Sequence, residues 1–131
     1  MIFRSVLAAC IASYGMCVYA EIPIYTEEKP GIQVVPHQPV FTVKLKSNPT
    51  TGYSWFLREY DPNLMSPVKH SYVPPEKQMI GAGGYELWTF KIKPAGFLVP
   101  QQTVLRMIYS RPWQGNDNST QVVFRVSTSG K

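Results

Sequence analysis

Residues 40–59 read VFTVKLKSNPTTGYSWFLRE, two runs of alternating side chains joined by a short stiff link. From Val40 to Lys46, the apolar Phe41, Val43 and Leu45 alternate with Thr42, Lys44 and Lys46. That two-residue period belongs to a strand with one buried and one wet face. From Tyr53 to Glu59 the period returns through Tyr53, Trp55 and Leu57. The residues between are stiff. Pro49 fixes φ, the β-branched pair Thr50-Thr51 favours extended backbone, and Gly52 permits a positive φ. A strand, a rigid connection and a second strand follow one another with no room for a helix.

The same alternation recurs on both sides. Gln121 to Thr128 places Val122, Phe124 and Val126 on one face, and Glu86 to Lys93 sets Trp88, Phe90 and Ile92 against Thr89, Lys91 and Lys93. Gln102 to Tyr109 alternates less cleanly through Val104, Leu105, Met107 and Ile108, while Ile32 to Val35 and Lys69 to Val73 are weaker candidates. Asn48-Pro49, Asp61-Pro62-Asn63, Pro74-Pro75, Gly81 to Gly84, Pro94-Ala95-Gly96 and Gly115-Asn116-Asp117 punctuate these runs as turns. No segment keeps a helical period over a useful length. The expectation is an all-β chain, an immunoglobulin-like β-sandwich of about seven strands, with a small barrel as second choice. Trp55 and Trp88 fall in the inward phase and are expected in the core, each anchoring one sheet against the other.

At 131 residues, with 12 Pro and 9 Gly, the chain has room for one domain rich in turns. Residues 1–20 have the make-up of a secretory signal peptide, with Arg4 as positive start, Val6 to Ala12 as a short apolar stretch and Val18-Tyr19-Ala20 at the cleavage position. The expected mature domain is 21–131. Its location would be secreted or periplasmic. The apolar stretch is short of the ~20 residues a spanning helix needs, so no stable membrane insertion is expected. Both cysteines, Cys10 and Cys17, lie in the leader, which leaves the mature chain neither disulfide nor thiol nucleophile. Leu7-Ala8-Ala9-Cys10 resembles a lipidation box, a minor alternative for localisation.

Of 13 Lys and Arg and 8 Asp and Glu, the leader removes only Arg4, so 12 basic residues face 8 acidic ones. Lys44, Lys46, Lys91 and Lys93 alternate along strands, where charge marks the solvated face and guards an edge. No basic run interleaves with exposed aromatics, so nucleic acid is not an expected partner. With His37 and His70 the only histidines, and neither near a carboxylate or thiol in sequence, a catalytic triad or a metal site is disfavoured. Both are expected to fill surface or loop positions, and no cofactor is expected.

Function is expected in three connections. Asn48, Pro49, Thr50, Thr51, Gly52 and Tyr53 form a loop rigid before it meets a partner, which avoids ~0.5 to 1.5 kcal/mol of ordering per side chain on binding. Gly81, Ala82, Gly83 and Gly84 carry almost no side chain, so their backbone suits close pairing with another backbone. A phosphate-loop reading fails, because no lysine with Ser or Thr follows and no helix begins there. Arg111, Pro112 and Trp113 hold two of the residue types most enriched at binding hot spots on either side of a proline. Trp113 follows no strand pattern that would carry it inward. The less favoured arrangement folds it over a strand edge with Arg111 stacked on it.

NPTTGY, GAGG and RPW, in this order and approximate spacing, resemble the chagasin family of cysteine-protease inhibitors over essentially all of the mature chain. NPTTGY is the most specific of the three. The resemblance implies a sandwich whose loops form a wedge over the cleft of papain-like enzymes, giving reversible, competitive inhibition by a monomer that catalyses nothing. By position, Asn48 to Tyr53 would enter the catalytic groove with Thr50 and Thr51 nearest the enzyme's cysteine. Gly81 to Gly84 would lie along one arm of the cleft, and Arg111 to Trp113 would pack on the other. Gln114 stands where the family commonly has an acid, which touches only a peripheral contact. The competing expectation is an extracytoplasmic adhesion or ligand-binding module, which a sandwich would serve equally.

Overall fold

The computed structural model describes residues 21–75, 83–113 and 120–130. The expectations placed on residues 1–20, on Gly81 and Ala82, and on Gln114 and Gly115 to Asp117 lie outside the described residues. Among the described residues, eight strands are divided between two sheets: β1 (Ile24–Thr26), β2 (Gly31–Val34), β3 (Val40–Ser47), β4 (Ser54–Glu59), β5 (Met65–Val73), β6 (Gly84–Ile92), β7 (Gln102–Ser110) and β8 (Thr120–Thr128). One sheet has the order β1-β3-β6-β5 and the other β2-β8-β7-β4. The β1–β3 and β2–β8 pairs are parallel, and the rest are antiparallel.

Alternation along β3, β6, β7 and β8 fills the space between the sheets. Phe41, Val43 and Leu45 face Leu105, Met107, Phe124 and Val126 across it, with Phe90 and Ile92 completing the layer, and all are buried. Each large side chain so buried contributes about 1.5–3 kcal/mol relative to exposure. Phe41 stacks on Phe90 at 5.5 Å between ring centroids, the cross-strand pair that the β3–β6 register places side by side.

The described strands number eight, in keeping with the expected sandwich of about seven; β1, a three-residue segment too short to show a period, lies parallel to β3. Two sequence expectations need correction. The strand expected at Lys69 to Val73 begins at Met65. This edge strand buries little after Met65 and shifts register between Pro67 and Lys69, and an edge tolerates the missing N–H of Pro67. Trp55 is in the core as expected, but Trp88 is only half-buried: it packs at the margin of the cluster and stacks on His70 at 4.2 Å.

The pairing puts the three connections at one pole. Ser47 at the end of β3 lies opposite Gly84 at the start of β6, Val73 at the end of β5 lies opposite Tyr85, and Ser54 at the start of β4 lies opposite Ser110 at the end of β7. Tyr109 faces Thr120 at the start of β8. Ser47, Val73, Gly84, Ser54, Ser110 and Thr120, the strand ends that bound these connections, therefore lie at the same end of the sandwich.

Candidate functional site

The first connection is a capped turn. Pro49–Thr51 form one turn of 3-10 helix, with Asn48 as its N-cap and Gly52 closing it at φ +86. The positive φ at Gly52 matches the sequence reading, while the expectation of extended backbone at Thr50 and Thr51 does not. Local hydrogen bonds override their β preference. Asn48 Oδ1 accepts from Thr50 N at 3.3 Å and from Thr50 Oγ1 at 2.6 Å, and Thr51 Oγ1 donates to Asn48 O at 2.7 Å. Both threonine hydroxyls thus tie the turn to Asn48.

Aromatic rings support the turn from beneath. Tyr53 stacks on Tyr109 at 5.3 Å, and Tyr109 leans on Trp55 at 4.9 Å. Such pairs contribute about 0.5–1.5 kcal/mol each beyond their buried area. The Tyr109 hydroxyl accepts from Asn48 N at 3.0 Å, and Trp55 Nε1 donates to Lys46 O at 2.8 Å. Both bonds span the gap between the two sheets.

The third connection is fastened to the first. Arg111 Nε donates to Thr51 O at 3.1 Å, and its guanidinium lies 4.6 Å from the centre of the Tyr53 ring. Arg111 therefore stacks on Tyr53. Trp113 is 72% exposed, yet a methyl group on Gly52 would come within 3.1 Å of its Cη2. The indole stands out from the sandwich with its edge beside the turn. Gly52→Ala is expected to lower stability by about 1–2 kcal/mol through the left-handed backbone, read as a shifted urea midpoint. An unchanged midpoint would show that the turn does not require this φ.

The second connection arrives on the other flank of the turn. A Cβ on Gly83 would lie 2.9 Å from Ser47 O and 3.1 Å from Asn48 Cβ. The absence of a side chain is what lets the two backbones approach. Lys46, Ser47, Asn48, Gly83, Gly84, Tyr85 and Tyr109 line an open depression between them. The described members of the expected site, Asn48 to Tyr53, Gly83, Gly84 and Arg111 to Trp113, thus make one continuous edge.

Sequence reading missed the group beneath that edge. Glu86 is 3% exposed and accepts from Ser47 Oγ at 2.6 Å and from Trp55 N at 3.2 Å through one oxygen, while His70 Nε2 lies 2.8 Å from the other. His70 does have a carboxyl partner, correcting its assignment to plain surface filling: residues 16 apart in sequence become neighbours when β5 pairs with β6. The available signal was an acid in the inward phase of β6, two residues before Trp88. Among the described residues no group of three or more His, Cys, Asp or Glu gathers to hold a metal ion.

The described residues form a β-sandwich with a stiff loop edge and an exposed indole at one pole. A profile described as Chagasin family peptidase inhibitor I42 matches residues 35–127. Chagasin of Trypanosoma cruzi is 32% identical over 83 residues, which cover 60% of this chain and 71% of that protein. Among solved structures, the cysteine protease inhibitor EhICP2 from Entamoeba histolytica superposes with a TM-score of 0.62 at 22% identity, covering 82% of this chain and 94% of that one. PbICP-C, solved in complex with falcipain-2, gives a TM-score of 0.54 at 13% identity over 86% of this chain and 95% of that one. The chain belongs to the chagasin family. It is a peptidase inhibitor and not an enzyme.

Proposed function

We propose that this inhibitor of papain-like cysteine proteases works reversibly and competitively, by laying the edge formed by residues 48–53, 81–84 and 111–113 into the active-site cleft. The observation that carries the reading is the fastening of Arg111 to Thr51 beneath an outward Trp113, because it makes two separate connections one rigid surface. Thr50 and Thr51 stand at the crest nearest the enzyme's cysteine. Gly83 and Gly84 flank them with bare backbone, and Trp113 offers an aromatic face on the other side.

Rigidity also accounts for resistance to cleavage. Attack requires a carbonyl carbon within about 3–3.5 Å of the nucleophile and in line with it. A turn closed by Thr51 N to Asn48 O at 3.1 Å and Gly52 N to Pro49 O at 3.0 Å cannot open into the extended backbone of a substrate without losing those bonds. A patch of this kind buries roughly 800 Å² per partner, and its preorganisation spares the ordering of the loop.

Titrating papain with the purified domain against a fluorogenic peptide is the test. The expected result is stoichiometric loss of activity, relieved by excess substrate, with the inhibitor recovered uncut. Full activity at high micromolar concentrations would overturn the reading in favour of an adhesion module. Residues 1–20, with their leader composition, support an extracytoplasmic site of action, secreted or periplasmic, as part of the same proposal.

A further inference from the structure

Glu86 is buried beneath the edge, and its bonds reach three other strands. Ser47, which donates to it, ends β3 directly before Asn48. Trp55, whose backbone N–H donates to the same oxygen, is the second residue of β4, two after Tyr53. Both stems of the 48–53 connection are thus tied to one carboxyl oxygen. Glu86 itself stands two residues after Gly84, at the root of the second connection, and its other oxygen meets His70 on β5, whose ring stacks on Trp88. Since β4 belongs to one sheet and β3, β5 and β6 to the other, the carboxyl group bolts the two sheets together at the pole that carries the loops.

We propose that Glu86 is the positioning residue of the inhibitory edge, holding the stems of residues 48–53 at a fixed spacing from Gly83 and Gly84 so that both enter a cleft in register. The proposal rests on the reading of these loops as the protease-binding surface. Hydrophobic burial alone does not set that spacing, because apolar packing is non-directional while a carboxyl oxygen with two donors is directional. Removing the acceptor strands buried donors, which then seek partners by moving the stems.

The test compares Glu86→Ala and Glu86→Gln with Val126→Ala, a core truncation on the part of β8 remote from the loops. Glu86→Ala is expected to weaken papain inhibition by about 10- to 100-fold, whereas Val126→Ala, whatever its loss of stability, keeps the wild-type inhibition constant. Glu86→Gln keeps an oxygen for Ser47 and Trp55 N and recovers most of the loss. Ser47→Ala removes one tie and is expected to weaken inhibition a few-fold, which decides the matter should Glu86→Ala not fold. Inhibition by Glu86→Ala and Ser47→Ala equal to wild type would overturn the proposal. If the wild-type domain leaves papain active, the inhibitor reading falls, and hydrogen exchange decides the positioning role by itself. Faster exchange at the Thr51 and Gly52 amides in Glu86→Ala than in Val126→Ala supports it, and equal exchange refutes it.

Discussion

Trp113→Ala is expected to weaken inhibition of a papain-like protease by roughly 30-fold or more while leaving the melting temperature of the free domain unchanged. The split follows from geometry. An indole that is 72% exposed contributes little to the fold, so its removal from the free protein opens no cavity. In the proposed complex the same ring would serve as a rigid aromatic anchor, and anchors of this type cost at least about 2 kcal/mol when truncated. Arg111 stays fastened to Thr51 and Tyr53 in the variant, so the turn keeps its shape and the lost affinity reports Trp113 alone. Calorimetry of the free domain beside inhibition assays makes the comparison. Loss of both stability and inhibition would mean that the indole packs into the sandwich, and loss of neither would remove this loop from the interface.

A larger structural effect is expected at Gly84. A Cβ there would lie 2.0 Å from Val73 O, 2.8 Å from the Tyr72 hydroxyl and 3.0 Å from Pro74 Cα, and two of these three atoms are backbone. No rotamer change relieves such a collision, so Gly84→Ala must push the end of β5 away from β6. The expected loss is on the order of 3 kcal/mol, or roughly 10 °C in melting temperature, together with weaker inhibition because Ser47 and Gly83 are displaced with Gly84. Gly31→Ala is the control: nothing lies within 4 Å of the position its methyl group would take, and its effect should stay within about 0.5 kcal/mol. Equal stability in the two variants would show that β5 and β6 can part at Gly84 without cost.

The strands with one wet face were legible because alternation is a local property. Phe41, Val43 and Leu45 of β3, and Phe124 and Val126 of β8, announce their inward phase within a few residues and are buried as that phase requires. β5 was half legible, since an edge strand with a bulge at Pro67 buries almost nothing that would set a period. The turn at residues 48–53 shows the limit of single-residue preferences. Two β-branched threonines favour extended backbone, and the hydroxyl bonds to Asn48 bend them into a 3-10 turn instead.

The strand-rich fold, the motifs at Asn48 to Tyr53, Gly81 to Gly84 and Arg111 to Trp113, and the positive φ at Gly52 could all be read along the chain. Each depends on neighbours along the chain, through side-chain alternation, proline and glycine geometry, or a run of characteristic residues. Folding in three dimensions was needed to bring Arg111 to Thr51, Tyr109 to Tyr53 and Asn48, and Glu86 to Ser47, Trp55 and His70. Those partners stand between 16 and 61 residues apart, and short-range bonds between them exist only once β-sheet register has set which strand ends meet.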